Sequence, residues 1–300
     1  MQYRTLGLLL FASVLSLSWT ACGGAPGSSV SGTSRASAAS SSSGQLFPNA
    51  KWLYAAPSGN SIDLSSYHAS VSIDAHDGGF DYPIQYADGS NGTMTFSDGG
   101  NQIAVPIPSG GFYPSTGAWG ANDGHLVVID TANHTYYDFW KLLTDGHGHP
   151  SSTHVGKIVS GSMDGNGAPG TTAANLTGAA GDLMPGELES GIHHALSCIV
   201  PGNWNNTSLG NQAPVSKTDG TSNGALSEGG KLGIDPKLNV DALPVGAGTK
   251  NLMKALQQYG CVITDQSGGT GIAIYSNLPD LKSADMSGMN QIGKYLRFYF

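Results

Sequence analysis

The stretch from Asp123 to Leu142, DGHLVVIDTANHTYYDFWKL, limits what this chain can fold into more than any other. His125 to Asp130 and Thr135 to Lys141 are β-branched and aromatic runs, and the turn-rich Thr131, Ala132, Asn133 and His134 lie between them. Together they predict a hairpin. Alternate residues of a strand share a face, so His125, Val127 and Ile129 lie on one side of the first strand, and Tyr136, Asp138 and Trp140 on one side of the second. A carboxylate between two aromatic rings marks this face as a candidate site.

Strand-and-turn rhythm continues on both sides. Between residues 51 and 108, short apolar runs alternate with Asp77-Gly78, Asp88-Gly89, Asn91-Gly92 and Asp98-Gly99, each a turn signal. Val105 to Pro108 holds two prolines and belongs on a sheet edge, because proline cannot donate to a ladder. Residues 157–177, rich in Gly and Asn, read as irregular. Pro185 to Ser190 predicts a short acidic helical turn closed by Gly191, with the run Ile192 to Val200 entering a strand. Thr249 to Tyr259 predicts a helix capped by Thr249, with Leu252, Met253, Leu256 and Tyr259 at helical spacing and Gly260 ending it. Cys261 to Thr264 and Ile272 to Ser276 are expected to pair around Gly268-Gly269. The last run, Lys294 to Phe300, alternates Leu296, Phe298 and Phe300 with Tyr295, Arg297 and Tyr299. With 44 glycines among 300 residues and 11% charged side chains, the chain reads as mostly β, a β-sandwich or jelly-roll with one or two short peripheral helices. A net charge of -8 with 13 scattered Lys and Arg argues against a nucleic-acid partner.

The N-terminus divides into a signal, residues 1–22, and a Ser/Gly-rich tether, residues 23–44, ahead of a single β-rich domain over 45–300. Arg4 supplies the positive charge, Leu6 to Trp19 the apolar core, and Thr20 and Ala21 the small residues before Cys22. This resembles a bacterial lipoprotein signal, in which Cys22 becomes the lipidated N-terminus. Trp19 departs from that pattern, which usually carries Leu three places before the cysteine, and leaves ordinary secretion as the other reading. Membrane contact is expected through the lipid alone. Cys198 and Cys261 then remain, as a disulfide of an exported chain or as two separate buried thiols.

Five blocks, DGHLVVID, YYDFWKL, GELESGIHHALSCIVP, GGKLGIDP and ALQQYGCVITDQSG, resemble a family of secreted bacterial proteins frequent in actinobacteria and soil bacteria, with no established activity. The resemblance covers about Val105 to Tyr275. It places Asp123, His125, Trp140 and His194 on recurrent positions and His193 on a variable one. Where the family's aromatic block carries Glu, this chain carries Asp138, one methylene shorter.

The polar set invites three readings. In the first, a polysaccharide or cell-wall glycan lies in a groove across one sheet. Asp138 and Glu187 would be the paired carboxylates of a glycoside hydrolase, or His125 or His194 with Tyr136 the base and acid of a lyase, while Asp123, Tyr136 and Trp140 bind substrate. In the second, the same aromatics serve a noncatalytic glycan-binding or cell-wall-binding surface module. In the third, the set is a buried hydrogen-bond network that fixes the hairpin against the Gly191 to Val200 segment. Tyr295, Arg297 and Tyr299 read either as a grip on an acidic sugar or as the wet face of a strand. Asp145, His147, His149 and His154 have zinc-ligand chemistry but lie in a Gly/Pro-rich segment that reads as a solvent loop. No cofactor is implied, and no serine-hydrolase elbow, phosphate loop or His-Glu-Xaa-Xaa-His helix occurs.

Overall fold

The alternation in the central hairpin does form two strands, and both faces of them are covered. The computed structural model describes residues 46–74, 81–115, 123–220, 223–278 and 280–300, all within one compact unit, Ala36–Phe300. The signal, the tether and Cys22 lie outside the described residues. Helix α1 (Lys51–Tyr54) is followed by β1 (Ser61–Asp63), β2 (Val71–Asp74), β3 (Ile84–Ala87), β4 (Thr93–Asp98) and β5 (Asn101–Pro106). The hairpin strands are β6 (Leu126–Asp130) and β7 (Thr135–Trp140), and β8 (Lys157–Ser162) follows. Then come α2 (Glu187–Ser190), β9 (Leu196–Pro201), β10 (Lys231–Ile234), α3 (Ala247–Gln258), β11 (Cys261–Ser267), β12 (Ile272–Tyr275) and β13 (Leu296–Tyr299).

The fold is mostly β. A seven-stranded sheet runs β1-β13-β10-β11-β9-β12-β2, a four-stranded sheet runs β3-β6-β7-β8, and β4 and β5 form a separate ribbon. Side-chain alternation assigns the layers. Val127, Ile129 and Tyr136 point from the smaller sheet toward Ile199 and Tyr275 of the larger one and share a core with them. Leu126, Val128 and Phe139, on the opposite face, pack against Phe96 and Val105 of the ribbon. The outer face of the larger sheet carries Leu196, Cys198, Ile263, Ile274 and Phe298, covered by Leu252, Met253 and Leu256 of α3. The order is thus helix, large sheet, small sheet, ribbon, the face-to-face packing of sheets expected from period-two patterning.

Several expectations are corrected. β11 and β12 do not pair; β9 lies between them, parallel to β11 and antiparallel to β12, because its six residues are all buried and fit only a sheet centre. The segment read as irregular contains β8, which completes the small sheet. Thr249 is not the helix cap. Gly246 precedes the first turn, and the buried Thr249 hydroxyl donates to the Ser287 carbonyl at 3.1 Å. Tyr295 ends a 3-10 turn, Met289–Tyr295, rather than joining the last strand. Cys198 and Cys261 are free, buried thiols rather than a disulfide. Ile263, not Cys261, stands opposite Cys198 in the parallel pairing, and the neighbouring Cys198 side chain adds to the burial that pushes the Cys261 thiol up.

One ammonium ties the large sheet to two helix ends. Lys231 Nζ on β10 donates to the carbonyls of Trp52 at 2.8 Å, Ala55 at 2.6 Å and Tyr259 at 2.9 Å, groups left over where α1 and α3 stop. Lys231→Met should lower stability by about 2 kcal/mol through the acceptors it strands, read as a fall in the urea midpoint. Lys254→Met, which breaks only the exposed pair with Asp241, should cost under about 1 kcal/mol.

Candidate carboxyl site

Asp138 faces the layer between the sheets rather than an open groove, opposite Val127 in the hairpin register and fully buried. Its carboxylate is answered by one loop. Thr171 N–H donates to it at 3.2 Å, the Thr171 hydroxyl at 2.6 Å and Gly178 N–H at 3.1 Å. Burial pushes its pKa up to about 6 against the pull of those donors. Gly178 comes so close to the Tyr82 ring that a Cβ there would overlap it. Tyr136 is equally interior, its hydroxyl donating to the Pro169 carbonyl at 2.7 Å.

The other predicted residues separate into two groups. His125 is buried, its ring 4.0 Å from that of Tyr82 and its Nδ1 3.3 Å from the Phe139 carbonyl. Burial lowers its pKa to about 4, outweighing Asp123 and that carbonyl, so it is neutral at pH 7. Trp140, half-buried at the strand end, donates from Nε1 to Asp123 at 3.3 Å, and the Lys141 ammonium caps its ring at 4.2 Å. Glu187 pairs with His194, not with Asp138. His194 Nε2 lies 3.1 Å from both Glu187 oxygens, and Nδ1 is 2.8 Å from the Ala195 carbonyl. Burial works against charge on this ring, yet the Glu187 hydrogen bond and charge, with the Ala195 carbonyl, raise its pKa overall. With Nδ1 on a carbonyl and Nε2 on a carboxylate, both ring nitrogens are engaged, and the ring is held in place rather than poised to accept a proton. Beside it, both oxygens of the buried Asp182 lack a donor. Burial, then the charges of Asp81, Glu187 and Asp74, push its pKa well above the ordinary carboxylate value. In the Gly/Pro-rich loop, His149 Nδ1 meets Asp145 at 2.9 Å and His154 Nδ1 meets Ser97 at 2.6 Å.

A carboxyl cluster that the sequence reading missed lies at the other end of this interior. The Tyr82 ring stands edge-on to Tyr275 at 5.1 Å, and the Tyr275 hydroxyl donates to Asp265 at 3.3 Å. Asp265 sits on β11, Glu228 in the turn before β10, and Asp219 in the long loop after β9. Glu228 is fully buried. One of its oxygens accepts from Asn205 Nδ2 at 2.9 Å, and the other has no donor. Burial, then the hydrogen-bonded side chain and charge of Asp219, raise the Glu228 pKa to about 8. The Asp219 side chain lies within hydrogen-bond reach of the Glu228 carboxyl. Asp219 is exposed, and Gln266 Nε2 holds its carbonyl at 2.9 Å. Burial, then Asp219, push the Asp265 pKa up to about 7 against the Gln266 N–H, Tyr275 and Ala173. Neighbouring carboxyls with environments this different are the arrangement from which acid and base roles arise. Glu228 precedes GGKLGIDP and Asp265 lies inside ALQQYGCVITDQSG, but an Asp-Gly loop and a strand end read as turn chemistry until the fold joins them.

Asp138, Asp182, Glu228, Asp265 and His194 all hold their protons in the folded state beyond their ordinary values, so the stability they confer is present at low pH and lost as pH rises. His125 works in the opposite sense, below its ordinary value. Thermal melts should therefore show Tm falling from about pH 5.5 to about pH 8, and a flat or rising Tm would contradict these assignments.

No family model, no curated protein and no solved structure matches the chain. The candidate site therefore stands on its geometry.

Proposed function

We propose that this chain is an extracytoplasmic hydrolase that cleaves polysaccharide through the Asp219, Glu228 and Asp265 carboxyls. The observation that carries the reading is the carboxyl pair, a buried Glu228 raised to about 8 beside the exposed Asp219. Glycoside hydrolysis needs one protonated and one ionised carboxyl. Asp219, the exposed member, relays the proton held by Glu228 to the departing glycosidic oxygen as the bond from that oxygen to the anomeric carbon breaks. Asp265 takes a proton from the water whose oxygen bonds to that carbon. Glu228 touches no substrate; it is a positioning residue that keeps the proton on the pair. The signal and tether, residues 1–44, support the extracytoplasmic placement. The second reading, a noncatalytic glycan-binding module, draws on a surface pocket beside β13 that shares no residue with this cluster.

Purified protein incubated with neutral and acidic polysaccharides should yield shortened products by mass spectrometry. Turnover should follow a bell, rising through about 7 as Asp265 ionises and falling through about 8 as Glu228 loses its proton. Glu228→Gln should abolish the limb near 8 and lower kcat by about 100-fold or more. Retention of a glycan with no product from any would replace the enzyme with the binding module.

A further inference from the structure

The edge of the large sheet carries a second feature. A pocket of about 340 Å3 opens where β1, the turn after β10 and the start of β13 meet, lined by Asp63, Asp235, Lys237, Lys294, Tyr295 and Arg297. Its volume is at the small end of ligand sites and suits one or two sugar rings. Of the 13 basic residues in a chain of net charge -8, three gather here. Arg297 is committed in part, donating from Nε and Nη2 to the Ser61 hydroxyl at 3.1 and 3.0 Å and lying 3.7 Å from Asp63. Lys237 and Lys294 are exposed, and among the described residues no carboxylate pairs with either ammonium. The pocket thus offers two unneutralised cations and a fixed guanidinium.

The remaining groups narrow the ligand. Tyr295 gives an aromatic plate of the kind that packs on the C–H face of a pyranose. Asp63 and Asp235 supply acceptors for hydroxyls, and Asp63 is kept ionised by the Ser65 N–H and hydroxyl. The same two carboxylates weigh against a doubly charged phosphate, which they repel more than a singly charged carboxylate. Cations, hydroxyl acceptors and a ring in one small concavity fit a sugar that bears both hydroxyls and a single acid group.

We infer that the pocket formed by Asp63, Asp235, Lys237, Lys294, Tyr295 and Arg297 binds a carboxylated sugar, a hexuronate unit of an acidic polysaccharide. It stands apart from the carboxyl cluster, and binding here requires no turnover there.

Calorimetric titration of the full-length protein tests it, with short galacturonate oligomers, neutral glucose oligomers of equal length and inorganic phosphate as ligands. The galacturonate oligomer should bind at least tenfold tighter than the neutral one. Lys237→Gln combined with Lys294→Gln should weaken it about tenfold or more while leaving Tm unchanged. Both substitutions lie on exposed side chains, so folding is not at stake. Equal binding of the neutral oligomer, no binding of either, or undiminished binding by the double variant would overturn the assignment. Phosphate that competes with equal or higher affinity would overturn it too, by making the pocket a general anion site. Repeating the titration with Glu228→Gln separates the two proposals, since uronate binding should survive there even if hydrolysis is lost or was never present.

Discussion

Holding the Asp138 carboxyl between two sheets is the constraint from which much else in this fold follows. A carboxylate withdrawn from water carries a penalty of several kcal/mol unless its lone pairs are met, and water does not reach it here. Residues 171–178 meet them, and the loop must run against β7 closely enough for two backbone N–H groups and a hydroxyl to converge on one side chain. That closeness makes position 178 a glycine, since the Tyr82 ring occupies the space of a side chain. Tyr82 in turn contacts His125 and Tyr275, and Tyr275 reaches Asp265. One buried acid thus fixes a loop, a row of rings and the placement of a carboxylate on the neighbouring sheet.

Charge in this protein is distributed by depth. Interior acids are raised by burial and by neighbouring carboxyls, Asp182 by Asp81, Glu187 and Asp74 and Glu228 by Asp219, so part of the formal negative charge is not expressed at neutral pH. The ionised carboxylates sit in turns at the surface, where backbone N–H groups hold them down, as at Asp63, Asp88 and Asp285. Two exposed cations that no carboxylate among the described residues pairs, Lys237 and Lys294, lie on the rim beside β13. A molecule arranged this way is less repulsive to an acidic chain at that rim than its net charge implies.

Local pattern and long-range assembly differed in how legible they were. The hairpin was readable because its alternation and turn are contained in some twenty consecutive residues, and the last strand because Leu296 and Phe298 alternate cleanly into the core. The helix over 247–258 announced itself by spacing, although its start did not, since Gly246 carries no capping side chain. What stayed hidden was the placing of β9 between β11 and β12, because a wholly apolar strand bears no mark of its neighbours. The direction in which the hairpin faces was hidden too: Asp138 reads as a groove residue or an interior one until Thr171 and Gly178 are known to lie against it. Asp219, Glu228 and Asp265 come from two loops and a strand, and only the fold brings them into one cluster.

The outermost strand pairing has a kinetic corollary. Among the described residues β1 is hydrogen-bonded only to β13, and Arg297 reaches Ser61 across 236 residues of sequence. β2 likewise pairs with β12 across some 200 residues. Neither early strand can find its ladder until nearly the whole chain has been made, so the large sheet must close late and by long loops, which slows folding. Until then β1 and β2 are unsatisfied edges, available to any other extended segment they meet. The molecule's most exposed period is the interval before β12 and β13 arrive.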